Sequence, residues 1–179
     1  MSEIIIYGSF YGTTKKYAEA LSDKTGIKAC SYKDVKDINS YRTIIYLGGL
    51  YAGGVEGMKK TLKNLTDISN KKLIIATVGL ADPTDKQNTE HIKSKMRTQI
   101  SPEIYEKASI FHLRGGIDYS KISLLHKTMM NMVYKKALSV PEEERTAEIR
   151  AMIETYNKQV DFVDLNSLEP LIKCHLINP

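Results

Sequence analysis

The sequence predicts a doubly wound α/β fold, in which helices cover both faces of a parallel five-stranded β-sheet. Short apolar runs alternate with segments of helix length, and this alternation is typical of parallel sheets. Most of the runs are continuously apolar, as expected of strands that are buried on both faces. The runs predict strands at 4–7, 43–47, 73–78 and 109–113, and a weaker alternating run at 28–32 predicts an edge strand.

Amphipathic segments between the apolar runs predict the covering helices. In each segment, apolar residues recur three or four positions apart with Lys and Glu between them, so that they form one apolar face. The predicted faces are Tyr17, Ala18 and Leu21 in the first helix, Met58, Leu62 and Leu65 in the second, and Ile92 and Met96 in the third.

Length and composition indicate a globular protein. The chain has 179 residues, so we expect a single domain over 1–179 that includes an extension. Its 42% apolar and 26% charged residues exclude a disordered or fibrous chain. The net charge of +5 is compatible with an anionic ligand, a lipid or a nucleic acid. Nucleic-acid binding is not expected, because the lysines are scattered and no stripe of basic and aromatic residues recurs.

The start of the sequence and the two cysteines predict where the protein is located and whether it binds a metal. Residues 1–10 lack a basic region followed by a long apolar run, so we expect no secretory signal and a cytoplasmic location. No apolar stretch reaches the ~18 residues that span a bilayer, so any membrane contact is expected to be peripheral. Cys30 and Cys174 form no CxxC pair or His/Cys cluster, so neither a disulfide nor a metal site is expected.

Glycines mark the predicted ligand site. Ten of the 11 glycines follow the ends of the four main apolar runs. In an open parallel sheet, ligands bind outside the carboxyl ends of the strands, where Gly lets the backbone approach the ligand closely. Ordinary turns are the alternative explanation for any single cluster. The clusters are Gly8 and Gly12; Gly48, Gly49, Gly53, Gly54 and Gly57; Gly79; and Gly115 and Gly116.

The first glycine loop predicts a phosphate site. Segment 8–16 leads from the first strand into a helix, so its backbone N–H groups can bind an anion together with nearby hydroxyls. It is neither a Walker loop nor a GxGxxG loop, because the glycine spacing and the place of Lys15 differ. A loop rich in hydroxyls suits one terminal monophosphate, and simple helix capping is the alternative. The hydroxyl donors are Ser9, Thr13 and Thr14.

A hexapeptide in this loop resembles the phosphate loop of the flavodoxin family: Ser9-Phe10-Tyr11-Gly12-Thr13-Thr14. The resemblance extends over residues 1–116 and implies FMN as the cofactor, together with the strand order 2-1-3-4-5. It also implies which residues hold the 5′-phosphate of FMN. These are Ser9, Tyr11, Gly12, Thr13 and Thr14.

Two further loops hold the flavin ring in that family, and both have counterparts in this chain. The resemblance implies that Tyr51, in the first of them, stacks on the ring. The first loop consists of Gly49, Leu50, Tyr51, Ala52, Gly53 and Gly54, and the second of Gly79, Leu80, Ala81 and Asp82.

The chain departs from ordinary flavodoxins around the ring. It is basic, contains no Trp and has no aromatic residue in the second ring loop. One face of the ring is therefore expected to be open to a substrate or covered by Tyr119. This tyrosine ends a third glycine loop, which consists of Gly115, Gly116, Ile117, Asp118 and Tyr119.

Residues 117–165 predict a helical insertion before a closing helix at 166–171. Stretch 119–138 is rich in Met and contains no acidic residue, and its apolar positions recur at helical spacing. We expect this helix to belong to the core, with its lysines in solvent; a surface for a membrane or a porphyrin is the alternative. A second helix is predicted at 147–156.

The extension resembles a narrower branch, the protoporphyrinogen dehydrogenases of flavodoxin fold that use a quinone acceptor. The resemblance rests on 115–119, on 124–134 and on the segment Phe162-Val163-Asp164. It implies an FMN-dependent oxidoreductase that takes a porphyrinogen or a quinone. The implied partners of the porphyrinogen carboxylates are Lys121, Lys127 and Arg114.

No catalytic acid or base is assigned from the sequence. His112 and His126 are the histidines nearest the predicted crevice, and a lone histidine is more often structural. The alternative function is a non-enzymatic electron carrier that exchanges electrons with a protein partner, although such carriers are expected to be acidic. A flavin-free interaction module is a third hypothesis.

Overall fold

The computed structural model describes residues 2–51 and 53–177. Its strands begin with β1 (Glu3–Gly8), β2 (Ala29–Ser31), β3 (Thr43–Tyr51), β4 (Gly54–Val55), β5 (Lys72–Gly79) and β6 (Ser109–Arg114). Five of them form a parallel sheet in the order β2-β1-β3-β5-β6, while the short β4 pairs antiparallel with the end of β3. The predicted five-stranded parallel sheet is confirmed, and with β4 left aside its order is the 2-1-3-4-5 order that the flavodoxin resemblance implies.

Four helices connect these strands: α1 (Thr13–Thr25), α2 (Met58–Leu62), α3 (Lys86–Arg97) and α4 (Pro102–Lys107). α1 packs on one face of the sheet, while α2, α3 and α4 pack on the other. The predicted apolar faces of the first three helices are buried. The sequence patterns do not predict α4, which begins after Ser101, whose hydroxyl oxygen accepts from the Ile104 amide.

The C-terminal part continues with β7 (Gly116–Asp118), α5 (Leu124–Leu138), α6 (Ala147–Thr155), β8 (Gln159–Asp161) and α7 (Glu169–Ile177). β7 and β8 pair antiparallel, so the insertion is not purely helical as predicted. Strands of three residues are too short for an alternating pattern to reveal them. The pairing depends on a glycine, because a Cβ on Gly116 would lie 2.5 Å from the carbonyl oxygen of Val160.

The closing helix also begins later than predicted. Residues Leu165–Leu168 form a 3-10 turn, and the Asp164 carboxylate, rather than Asn166 or Ser167, caps its first amides. α7 follows and packs on the same face of the sheet as α1 through the buried Leu168 and Leu171. The sheet therefore has helices on both faces, and its carboxyl ends point toward the extension.

The Met-rich helix α5 is not part of the core, contrary to the prediction. Leu124, Leu125 and Met132 are 81%, 69% and 64% exposed. Ala137 is the only buried residue of this helix. Tyr134 stacks on Tyr156 with ring centroids 3.9 Å apart, which joins α5 to the chain that follows α6. Among the described residues, no helix is long and apolar enough to cross a membrane.

Candidate functional site

One cavity of about 440 Å³ lies at the carboxyl ends of the parallel strands. Its volume falls within the ~300–1,000 Å³ of typical cofactor and ligand sites. All four predicted glycine loops contribute to its lining, so the structure brings most of the predicted site residues together. These are Ser9, Phe10, Tyr11, Thr13, Thr14, Gly49, Leu50, Tyr51, Gly53, Gly79, Leu80, Gly115, Gly116 and Tyr119.

Among the described residues, Gly12 and Asp118 are predicted site residues that do not belong to this lining. Gly12 lies in the phosphate loop itself, and Asp118 lines a neighbouring cavity of about 350 Å³. Ala52 lies outside the described residues, so its predicted role stays a prediction.

The phosphate loop leads directly into α1. Gly12 precedes the helix with φ of +90°, a left-handed conformation that Gly adopts without strain. No side chain caps the first amides of α1, so helix capping does not account for the hydroxyls of this loop. The Ser9 hydroxyl oxygen accepts from the Gly12 amide at 3.1 Å, which closes the loop. Uncapped N–H groups at a helix N-terminus are suited to an anion. The phosphate role of this segment stays a prediction.

The two threonines at the start of α1 have different surroundings. The Thr13 hydroxyl donates to the Gly116 carbonyl at 2.9 Å, so it ties the phosphate loop to β7 instead of remaining free for a phosphate. Thr14 is buried, and a Cβ on Gly49 would lie only 3.0 Å from its Oγ1. The phosphate loop and the first ring loop are therefore in direct contact.

Aromatic side chains gather at the mouth of the cavity. Tyr51 stacks on Phe10, with ring centroids 4.2 Å apart and planes 7° apart. His126 of α5 packs edge-on against Phe10 at 4.6 Å, and its Nδ1 lies 2.8 Å from the hydroxyl of the helix-capping Ser123. One face of Tyr51 is thus already covered by a side chain. Burial, followed by the nearby Tyr51, raises the pKa of Tyr11 to about 12.

The profile described as Flavodoxin domain matches residues 4–142, which is well over half of the chain. The chain belongs to the flavodoxin domain family. Because it belongs to this family, the chain has a flavin-based electron-transfer role, and the family also supports FMN as its cofactor.

Solved structures similar to this flavodoxin domain resemble it only distantly. A flavodoxin variant from Pseudomonas aeruginosa has 15% identity and a TM-score of 0.41, covering 77% of this chain and 97% of that chain. A flavoprotein in complex with FMN from Lactobacillus acidophilus has 17% identity and a TM-score of 0.41, with 63% and 92% covered. Fusobacterium nucleatum flavodoxin bound to FMN has 17% identity and a TM-score of 0.39, with 68% and 74% covered. No curated protein sequence matches the chain.

Two features of the flavodoxin domain fit FMN. First, backbone without a Cβ lines the cavity at Gly49, Gly79 and Gly115, where a ligand can approach the chain closely. Second, the buried hydroxyl of Tyr11 has no hydrogen-bond partner among residues 2–51 and 53–177. An unpaired buried donor in a lined cavity is typical of a site that awaits a polar ligand group.

The expected carboxylate partners are engaged elsewhere or lie apart from the main cavity. Arg114 donates from Nε to the Leu80 carbonyl at 3.0 Å, and its guanidinium lies 3.9 Å from the centre of the Phe162 ring. It therefore holds the second ring loop in place. Lys121 pairs with Asp118 at 3.2 Å beside the neighbouring cavity, while Lys127 is exposed and lines neither cavity.

The cavity also extends beyond the predicted loops. Its further lining comes from α3, α5 and α6, and sequence reasoning assigned none of these residues to the site. The Met-rich pattern of stretch 119–138 was the one signal that could have indicated them. The residues are Asn88, Ile92, Met129, Met130, Val133, Lys136, Glu148, Met152 and Thr155, together with Val78, Pro83 and His112 near the strand ends.

Proposed function

We propose that the chain is an FMN-dependent oxidoreductase that acts on a largely apolar substrate. This proposal rests on the extent of the cavity. Past the loops that fit FMN, the cavity continues between α3, α5 and α6, where Ile92, Met130 and Met152 provide apolar walls. An electron carrier that docks on a protein needs an accessible ring edge and no such compartment. A lined compartment beside a flavin is suited to a substrate.

Each part of the site has a role in this proposal. The first amides of α1, with the hydroxyls of Ser9 and Thr14, bind the phosphate. The ring loops position the flavin, and Arg114 orients the second of them through the Leu80 carbonyl. When FMN is bound, its ring supplies the capacity to accept and release electrons. The apolar lining excludes water from the space beside it.

Within this class, we propose protoporphyrinogen as the substrate to test first, with a quinone as the acceptor. The resemblance of the extension to protoporphyrinogen dehydrogenases supports this choice, and so does the methionine-lined wall, since flexible Met side chains adapt to bulky ligands of irregular shape. The carboxylate contacts implied by that resemblance need revision. Of the charged residues at the cavity, the exposed Lys136 is better placed than Arg114.

We expect the FMN-loaded protein to convert protoporphyrinogen to fluorescent porphyrin under anaerobic conditions when a soluble naphthoquinone is present. In this reaction, the porphyrinogen loses six electrons and six protons in total, and three quinones each take up two electrons and two protons to become hydroquinones. The FMN-free protein and an equal concentration of free FMN serve as controls. Failure of FMN to bind contradicts the oxidoreductase proposal, whereas FMN binding without porphyrin formation contradicts the choice of protoporphyrinogen.

We also propose that the exposed side of α5 docks on an anionic lipid surface. Leu124, Leu125 and Met132 are largely exposed, and a contiguous apolar surface on a soluble fold marks an interaction site. No Asp or Glu occurs between Tyr119 and Leu138. An apolar helix face with lysines beside it is typical of an anionic membrane interface. The lysines are Lys121, Lys127, Lys135 and Lys136.

Replacing both Leu125 and Met132 with Ser is expected to weaken binding to anionic vesicles roughly tenfold or more, because buried apolar area drives such binding. Sedimentation with phosphatidylcholine vesicles, with and without phosphatidylglycerol, measures the effect. The matched control is Leu176→Ser, since Leu176 is 66% exposed on α7. Equal binding to both vesicle types contradicts this proposal. So does a lipid-free protein dimer that the double variant abolishes.

A further inference from the structure

His112 lies inside the apolar part of the cavity with one ring nitrogen unpaired. It lies on β6, in register with Thr77 of β5. Its Nδ1 is 2.7 Å from the Thr77 hydroxyl oxygen, and Thr77 is itself buried. Its Nε2 is buried and has no hydrogen-bond partner in the described part of the chain. The ring is thus fixed at one nitrogen and free at the other.

The surroundings of His112 determine what this nitrogen can bind. Burial, followed by the nearby Lys93, lowers the pKa of His112 to about 4, and Glu90 opposes this only in part. The imidazole is therefore neutral near neutral pH and carries no charge with which to attract a carboxylate. A neutral imidazole nitrogen forms a hydrogen bond with a carbonyl or a hydroxyl group, depending on its tautomer.

The other buried polar side chains of this compartment already have partners. Asn88 donates from Nδ2 to the Asp82 carbonyl at 3.0 Å, and the Thr155 hydroxyl donates to the Ala151 carbonyl at 2.7 Å. The charged residues of the lining, Lys136 and Glu148, reach toward solvent. Apart from the Tyr11 hydroxyl in the phosphate loop, His112 Nε2 is therefore the unpaired buried polar atom that this lining offers in the described part of the chain.

We propose that the inner compartment binds an apolar ring compound that bears a carbonyl or hydroxyl oxygen, and that His112 Nε2 hydrogen-bonds to this oxygen. This inference rests on the proposed function, because the compartment adjoins the loops that fit FMN. Buried polar groups in native proteins are almost always paired, so an unpaired nitrogen on a side chain that lines a cavity points to a ligand group that completes it. Thr77 is a positioning residue, since it fixes the imidazole orientation.

A pair of related probes tests this hydrogen bond. Menadione is a methylated naphthoquinone, and 2-methylnaphthalene has the same rings without the carbonyl oxygens. Both are titrated by calorimetry into the FMN-loaded protein with the flavin oxidised and no reductant present, so that no reaction occurs. We expect menadione to bind about 3- to 10-fold more tightly than 2-methylnaphthalene, which is the range for one net hydrogen bond.

The variant His112→Phe retains a ring of similar volume and removes the nitrogen. We expect it to weaken menadione binding by about 3- to 10-fold and to leave 2-methylnaphthalene binding unchanged. His112→Gln restores a polar atom and is expected to recover part of the difference. The matched control is His175→Phe, because His175 also has an unpaired buried nitrogen but lies on α7, outside this cavity. If His112 has a structural role alone, His112→Phe weakens the binding of both probes equally.

Nitrogen NMR provides a readout that does not depend on affinity or activity. Menadione is expected to shift the ¹⁵N resonance of His112 Nε2, whereas 2-methylnaphthalene is not. Thr77→Val is expected to alter the tautomer signals of His112 and to weaken menadione binding, with rescue by Thr77→Ser. An unmoved Nε2 resonance, or equal effects of His112→Phe on both probes, overturns the inference.

The outcomes separate this inference from the proposed function. Normal FMN loading, seen from flavin absorbance, without menadione binding overturns the inference and leaves the cofactor proposal intact. Failure of FMN loading overturns the proposed function, and the same probes titrated into the FMN-free protein still decide whether His112 binds the ligand oxygen.

Discussion

Replacing both Ser9 and Thr14 with Ala is expected to weaken FMN binding about 100-fold or more. Hydrogen bonds to a charged group contribute roughly 1.5–3 kcal/mol each, so two lost hydroxyl donors to a phosphate exceed a factor of about 100. Both residues line the cavity at the start of α1. Quenching of flavin fluorescence on titration of FMN with the FMN-free protein measures the dissociation constant.

A matched control distinguishes the loss of phosphate contacts from a general change in stability. Thr98→Ala removes a hydroxyl that donates to the Lys95 carbonyl at the end of α3, outside the cavity lining. We expect it to leave FMN affinity unchanged. Unchanged affinity in the Ser9→Ala, Thr14→Ala double variant would show that the amides of α1 alone hold the phosphate.

Replacing Gly8 with Ala is expected to lower the free energy of unfolding by about 3 kcal/mol, since overpacking of a core costs ~1–3 kcal/mol or more. A Cβ at this position would lie 2.0 Å from the carbonyl oxygen of Glu56 and 3.0 Å from the hydroxyl oxygen of Tyr46. The Tyr46 hydroxyl donates to that same carbonyl, and Tyr46 is completely buried. The backbone must therefore shift within a packed core.

Urea denaturation followed by circular dichroism measures this change. Gly26→Ala is the control, because Gly26 has φ of +73° at the end of α1 and a Cβ added there would meet no atom within 4 Å. We expect Gly26→Ala to cost only the ~1–2 kcal/mol of a left-handed residue. Equal losses in the two variants would contradict a steric role for Gly8.

The parallel sheet and its first three covering helices could be predicted because their signals are local. Continuous apolar runs such as 43–47 and 73–78 occur where a strand is buried on both faces. The apolar face of Tyr17, Ala18 and Leu21 is set by helical spacing alone, and all three residues are buried as predicted. Neither signal depends on which distant residue completes the packing.

The glycine clusters were informative for a partly different reason from the one expected. Gly49 and Gly79 line the cavity, as the approach of a ligand requires, although a Cβ on Gly79 would also lie 2.7 Å from Leu50 Cδ1. Gly8 and Gly48 instead make room for protein atoms, because a Cβ on Gly48 would lie 2.1 Å from Val55 Cγ1. The position of a glycine in the sequence shows that space is scarce. It does not show whether protein or ligand occupies that space.

By itself, the sequence determined the strand and helix pattern, the parallel sheet, the glycine-rich edge and the phosphate loop of a flavodoxin domain. Only the tertiary structure decided the exposure of α5, the pairing of β7 with β8, the engagement of Arg114 with Leu80 and the unpaired nitrogen of His112. The physical reason is the separation along the sequence of the residues that interact. Periodicity and turn residues report forces between neighbours in the chain, whereas burial and hydrogen-bond partners depend on residues that are distant in sequence and become adjacent only on folding.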